Sequence, residues 1–349
     1  MTGRIYLDHA ATTPLLPAAR SAMEAGFAAW ANPSSPHAQG RAAKALLEDA
    51  RARIKAALGW EGDLLFTSGA SEALAIALKH SKAAEIWASA TEHDAVLRHV
   101  PAERRLTVDA GGLVQRPDAF AAGTLFAIQQ VNSETGVIQP LDELAEAVHA
   151  GGGILLADCS QSAGKLPLPQ GADMIVLSAH KLGGPVGIGA LLVRDLTLLA
   201  PTGGQEQGYR AGTEAMPLAL GFAAALEARR AWLDDAARWR NEIDTAISSA
   251  GGDVVAGQSP RLATIASYRM PGMNAQAQLI RFDMAGIAVS AGSACSSGTL
   301  KASGVLTAMG WPEEHAAQVI RVSLGHSTQE SDIQAFLAQW LALYSSSRP

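Results

Sequence analysis

The chain has 349 residues, and its 27 Lys+Arg against 33 Asp+Glu leave a formal net charge of -6 with no basic cluster to track a phosphate backbone, which sets nucleic acid aside. Cys159 and Cys295 are too few for a disulfide framework and form no C-x-x-C pair for zinc. No run approaches the roughly 18 apolar residues that span a bilayer, and the N-terminus carries no cleavage signal, so a cytoplasmic protein without membrane or metal is expected.

In chain order, residues 5–7 read as a short strand leading into Asp8-His-Ala-Ala-Thr-Thr-Pro14, a turn rich in hydroxyls and backbone donors that is expected to lie over a site. Residues 32–37 are irregular, so Asn32 and His37 are turn-formers or polar groups facing a substrate. Residues 38–58 alternate alanine and leucine with charge at helical spacing. Asp63 opens a strand that runs into Thr67-Ser-Gly-Ala-Ser71 and an alanine-rich helix over 73–78. A glycine turn opening a helix gathers free N–H groups at the positive dipole end and suits a phosphate, but Ser-Gly is also an ordinary helix cap.

Strands over 85–89, 124–128 and 154–158 alternate with helices from about His93 and over about 142–150. An apolar, β-branched run from Ala172 then stops at Ser178-Ala-His-Lys181 and enters glycines up to Gly189, which reads as a buried strand delivering one lysine into a tight loop. This alternation predicts a mostly parallel sheet with helices on both faces, whose ligands sit at the carboxyl ends of the strands. There Ser68, His93, Asn132, Asp158, Gln161 and Lys181 would converge. A glycine-rich loop over 203–213 precedes one long helical segment, roughly 216–249, the natural link to a second domain. Beyond it the pattern is mixed: a strand over 262–268, helices near 275–284 and 303–309, a strand over 319–323 and a final helix from Glu330.

Lys181, flanked by a hydroxyl, an imidazole and glycines, suits a Schiff-base lysine as well as a loop lysine that merely ends a strand. Asp158 ends a buried strand, where a carboxylate is costly unless something positive, such as a protonated pyridine nitrogen, meets it. With the turn at Ser68 to Ser71, these supply what a pyridoxal phosphate site requires: an electron-sink partner, an imine-forming amine and an anion cradle. His93 is then a ring stacked on the cofactor and a proton carrier, or a histidine in a first helical turn.

These residues lie in longer motifs: Tyr-Leu-Asp-His-Ala-Ala-Thr-Thr-Pro (6–14), Asn-Pro-Ser-Ser-Pro-His (32–37), Thr-Ser-Gly-Ala-Ser-Glu (67–72), Thr-Glu-His (91–93) and Val-Asn-Ser-Glu-Thr-Gly (131–136). Asp-Cys-Ser-Gln-Ser-Ala-Gly-Lys (158–165), Ser-Ala-His-Lys (178–181), Arg-Ala-Gly-Thr (210–213), Ser-Ala-Gly-Ser-Ala-Cys-Ser-Ser-Gly (290–298) and Ile-Arg-Val-Ser-Leu-Gly (320–325) follow. Through them the chain resembles, over essentially its whole length, the cysteine desulfurases of the NifS/IscS type, within the class V aminotransferases. The resemblance implies the α/β, PLP-dependent transferase fold type I: a mostly parallel, seven-stranded sheet sandwiched by helices, with a smaller α+β C-terminal domain. The expected division is a segment 1–15 packing with the small domain, a large cofactor-binding domain 16–245, and a small domain 246–349 carrying the cysteine loop.

It further implies that Lys181 joins pyridoxal 5'-phosphate as an imine, Asp158 pairs with the pyridine nitrogen, Gln161 bonds the phenolic oxygen, His93 stacks on the ring and Ser133 lies beside it. Ala70, Ser71, Ser178 and His180 would hold the phosphate, with Thr213 reaching it from the other subunit of a homodimer. Arg321, assisted by Asn32, would clamp the substrate carboxylate. Cys295, in a run of Ser, Gly and Ala expected to let the thiol travel, would take the sulfur of L-cysteine, leaving alanine and an enzyme persulfide. An iron–sulfur scaffold or another sulfur carrier would accept it. Cys159, directly after a core strand, suits a small buried hydrophobe. The chain departs from the family pattern at Ser133 and Ala75, where asparagine is usual, and near Gln207, where a basic residue is; many members also carry a longer C-terminal tail. A selenocysteine lyase or an aminotransferase on the same cofactor is the alternative, though an aminotransferase has no need of Cys295. A silent binding protein would have no need to keep Lys181, Asp158, His93, Cys295 and Arg321 together.

Overall fold

The computed structural model describes residues 4–292 and 303–347; Cys295 lies outside them. The chain runs β1 (Ile5–Tyr6), α1 (Pro17–Ala28), α2 (Ala38–Leu58), β2 (Asp63–Thr67) and α3 (Ala70–Lys79). It continues through β3 (Glu85–Ser89), α4 (Asp94–Leu97), β4 (Arg105–Leu106), β5 (Thr124–Gln129), α5 (Leu141–Ala150), β6 (Ile154–Asp158), β7 (Met174–Ser178) and β8 (Gly189–Val193). After α6 (Met216–Glu227) and α7 (Trp232–Ala250) come β9 (Asp253–Val254), β10 (Ile265–Arg269), α8 (Ala275–Met284) and β11 (Ile287–Ala288). The last elements are α9 (Gly304–Ala308), α10 (Glu313–Ala316), β12 (Val319–Ser323) and α11 (Glu330–Ser347).

The central sheet has seven strands in the order β2-β8-β7-β6-β5-β3-β4. Six run in one direction, and β8 alone runs against its neighbours β7 and β2. Its strands are apolar on both faces because both are covered. Phe126, Ile128, Leu155, Ala157, Ile175, Leu177, Ala190 and Leu192 face a core shared with α2, α5 and α6. Their alternating neighbours Leu125, Ala127, Leu156, Met174, Val176, Leu191 and Val193 face α3. Period-two alternation between two dry cores marks a strand buried from both sides. The mostly parallel α/β sheet expected from the sequence is therefore present, and the carboxyl ends of β2, β5, β6 and β7 meet at one edge.

A separate core gathers Leu7, Trp239, Tyr268, Phe282, Phe336 and Trp340 around the antiparallel sheet β12-β10-β9. Here β1 pairs in parallel with β11, and Ser323 N–H donates to Leu7 O over 2.8 Å, so the start of the chain lies against its last third. Among the described residues no helix is long and apolar enough to cross a membrane.

Some boundaries differ from the sequence reading. The single helix expected over 216–249 is two, because the Arg230 guanidinium donates to the carbonyls of Ala225, Leu226 and Ala228 and caps the end of α6. The strand expected from 262 begins at Ile265, since Leu262 N–H is engaged by Gly136 O in the turn before it. The helix from His93 stops after one turn at Leu97. Helix α1 and strand β8 were not foreseen.

Candidate active site

A pocket of about 360 Å³ opens at the carboxyl edge of the large sheet. Ala70, Ser71, His93, Ser133, Asp158, Gln161, Ser178, His180 and Lys181 all line it, together with Ser68. Arg321, Asn32 and Thr213 are not among its walls. Asn32 is exposed and its Oδ1 accepts from Ser34 N–H (2.9 Å), a turn-former's bond, while Thr213 is exposed in the glycine-rich loop. Asn132, expected with them, is spent on its own turn: its Oδ1 accepts from the N–H groups of Glu134 and Thr135, and its Nδ2 donates to Thr91 O.

One corner is the start of α3, where Gly69 precedes the helix at φ 152° and no side chain caps it. The first N–H groups of an uncapped helix lack intrahelical acceptors and sit at the positive end of the dipole. Strand β8 approaches this turn closely, because a Cβ at Gly189 would stand 2.8 Å from the Gly69 backbone and 2.5 Å from Leu177 O. These donors, with the Ser71 and Ser178 hydroxyls nearby, could hold a phosphate. The second corner is Asp158 at the end of β6, whose Oδ1 accepts from Ser160 N–H at 2.8 Å. A cationic ring atom is the natural partner for such a carboxylate.

The third corner is Lys181, on a single 3-10 turn (Ala179–Lys181) after β7. Its carbonyl accepts from Thr13 Oγ1 (3.2 Å), and His180 Nδ1 meets Thr12 Oγ1 at 3.2 Å, so the turn at 8–14 does lie over the site. Burial first, and the Lys181 charge second, push His180 down to about 4 and hold His93 below its usual range. Both rings are therefore neutral at pH 7. His93 Nδ1 accepts from Ala95 N–H (3.1 Å), which places the ring proton on Nε2. Gln161 Nε2 donates to Ala10 O, while its Oε1 and the hydroxyl of Ser160, from two residues of the pocket wall, are buried without partners among the described residues. Buried polar atoms left unpaired cost free energy, so a polar occupant of the pocket is favoured.

Beside this pocket, Arg321 is buried at the centre of β12. Its Nη1 donates to the carbonyl of pocket residue Ser133 (2.9 Å) and its Nη2 to Asp8 Oδ1 (2.8 Å), while Nε has no partner among the described residues. Cys159 is fully buried, and burial raises its thiol, as suits a core residue rather than a nucleophile. The sequence reading passed over Asp8, Glu134 and Lys165. All three lie inside the quoted motifs, but an acid or a lysine in a polar turn carries no periodicity to mark it as buried.

The class-V aminotransferase family model matches residues 5–336. The chain is similar to a cysteine desulfurase of Cereibacter sphaeroides, 35% identical with 96% of this chain and 94% of the relative covered. It is also 34% identical to an IscS-like cysteine desulfurase of Mycobacterium tuberculosis, covering 95% and 94%. Among solved structures, a NifS-like protein from Rickettsia africae superposes with a TM-score of 0.87 at 30% identity, covering 98% of this chain and 99% of that one. SspA, solved in complex with cysteine, superposes with a TM-score of 0.77 at 30% identity over 92% of this chain and 98% of its own.

Proposed function

The chain belongs to the class-V aminotransferase family, and from that premise we propose that it is a cysteine desulfurase, taking sulfur from L-cysteine with pyridoxal 5'-phosphate as cofactor. The observation that carries this reading is one cavity walled by a carboxylate (Asp158), an amine (Lys181) and an uncapped helix start at Gly69. Asp158 would hold the protonated ring nitrogen, Gln161 the phenolic oxygen and His93 the ring face. Ala70, Ser71, Ser178 and His180 would hold the phosphate. When bound, the cofactor supplies an electron sink for the pair left behind as a proton leaves Cα.

Lys181 Nζ would remove that proton, and neutral His93 can donate one from Nε2. Arg321 would orient the substrate through its carboxylate, next to or in exchange for Asp8. Cys295, as thiolate, would attack the substrate sulfur: an S–S bond forms as the Cβ–S bond breaks, the released pair stays with carbon, and one proton added at Cβ and one returned to Cα complete L-alanine. Sulfur is oxidised and carbon reduced in the same step, so no outside oxidant or reductant is needed. The persulfide would pass to an acceptor protein, an iron–sulfur scaffold or a sulfur carrier. A homodimer would explain why exposed Thr213 stands apart from its own pocket, and the sparse cysteines suit work in the cytoplasm.

Incubating the cofactor-loaded protein with L-cysteine and a thiol reductant tests the reading. It predicts sulfide and alanine in equal amounts, both abolished in Lys181→Ala. In Cys295→Ser sulfide is lost while the cofactor spectrum is kept. Sulfide release by Cys295→Ser at the parent rate would refute the assignment of the nucleophile.

A further inference from the structure

Ten residues, 293–302, connect Gly292 to Ser303 and carry Cys295. The two ends of this connection meet at one side chain. Ser303 Oγ donates to Glu134 Oε2 over 2.5 Å, and a Cβ added at Gly292 would overlap the same oxygen, so the backbone there lies directly against the carboxyl. Ser303 is itself the N-cap of α9, its Oγ also accepting from Leu306 N–H (3.1 Å).

Glu134 is held from three sides. Its N–H donates to Asn132 Oδ1 (2.9 Å), its carbonyl accepts from Ser267 Oγ of β10 (2.7 Å), and the preceding residue, Ser133, is fixed by Arg321. Burial raises the carboxyl above its usual range, against the lowering effects of the Ser303 hydroxyl and Arg321. Glu134 is half-buried and is not among the walls of the pocket, so its carboxyl is spent on these contacts.

Resting on the desulfurase reading, we propose that Glu134 is a positioning residue for sulfur transfer: its carboxyl ties the two ends of the Cys295 segment together and so fixes where the thiol can reach. The geometry makes the ends matter. Cys295 lies three residues beyond Gly292, so its Cα stays within roughly 10–11 Å of that glycine. Displacing Gly292 shifts this sphere bodily, while Lys181 and Asp158 stay where the large sheet puts them.

The test separates the two steps in the loaded enzyme. Exchange of the L-alanine Cα hydrogen with solvent deuterium needs Lys181 but no thiol, whereas single-turnover persulfide formation on L-cysteine needs both. Glu134→Ala should keep the parent cofactor spectrum and Cα exchange but slow persulfide formation roughly tenfold to a hundredfold, the scale of a misplaced reacting group. Glu134→Gln, which keeps an acceptor for Ser303, should recover most of the rate, and Ser303→Ala should fall in the same direction as Glu134→Ala. Backbone amide exchange around 292 and 303 should quicken in Glu134→Ala, a readout independent of any sulfur chemistry. Persulfide formation at the parent rate in Glu134→Ala or Ser303→Ala, equal losses in both steps, or unchanged amide protection at both ends would overturn the proposal. A parent enzyme that exchanges Cα but makes no persulfide would instead defeat the desulfurase reading, leaving amide exchange to decide the anchoring.

Discussion

Lys165 is half-buried, and its ammonium donates to Gln161 O over 3.1 Å. Burial, followed by the charges of Lys181 and Arg230, lowers it to about 7. Between pH 7 and the unfolded value near 10.5 the unfolded chain binds a proton that the folded chain does not, so stability rises with pH across that window. Below it, folding bears the full cost of the buried charge, about 3–5 kcal/mol. Lys165→Met removes the charge at similar length. Urea midpoints of the loaded enzyme should therefore show the variant more stable than the parent at about pH 6, with the gap closing toward pH 10. A gap that stays constant over that range would mean Lys165 is charged and compensated throughout. A second prediction belongs to Ser133, whose carbonyl is pinned by Arg321 and whose hydroxyl is shorter than an asparagine amide. One neutral hydrogen bond is worth about 0.5–1.5 kcal/mol, so Ser133→Asn should shift the pH of the cofactor colour change without abolishing turnover. A superimposable titration would place residue 133 out of reach of the ring.

Strand β8 shows what an element can hide. Its five residues follow Gly-Gly-Pro-Val-Gly-Ile and read as the tail of a glycine loop, yet the strand closes the sheet between β2 and β7 and presses Gly189 on Gly69. Gly189→Ala should push the start of β8 off the α3 turn at an overpacking cost of about 1–3 kcal/mol. Cofactor affinity should fall by roughly five- to a hundredfold with the sheet's circular dichroism unchanged; parent affinity would show that the turn is not a phosphate cradle. Helix α2 was readable to its ends because charge and apolar residues alternate at helical spacing, His37 Nδ1 caps one end and Gly59, at φ 63°, closes the other. The break after Glu227 was not, because Ala-Arg-Arg-Ala favours a helix and the cap is a side chain folding back on its own carbonyls. The same contrast divides the site. Asp158 and Lys181 stand out because charge at the end of a buried strand demands a partner. Asn132 and Glu134 look alike on paper, and only the fold shows that one ties a turn and the other touches the ends of the cysteine segment.

At the scale of the molecule, two separately cored units meet at the proposed reaction centre: the large sheet supplies Asp158 and Lys181, and the last third supplies Arg321. The junction is partly polar, through Arg321 with Ser133 and Ser303 with Glu134, and partly apolar, where Val131 packs with Leu262 and Ile265 and Val108 with Val255 and Val305. Trp340, fully buried in the second core, tests their independence. Trp340→Ala should cost about 3–5 kcal/mol, visible as an earlier unfolding step by intrinsic fluorescence while the cofactor stays bound. Simultaneous loss of both would mean the cores unfold as one. The account as a whole rests on the thiol outside the described residues. Its most direct measurement is mass spectrometry of cysteine peptides after one turnover of L-cysteine without reductant. The account predicts a gain of one sulfur atom on the Cys295 peptide, none on that of Cys159, and an equal amount of alanine. Alanine formed with no sulfur on Cys295, or sulfur carried on Cys159, would contradict it.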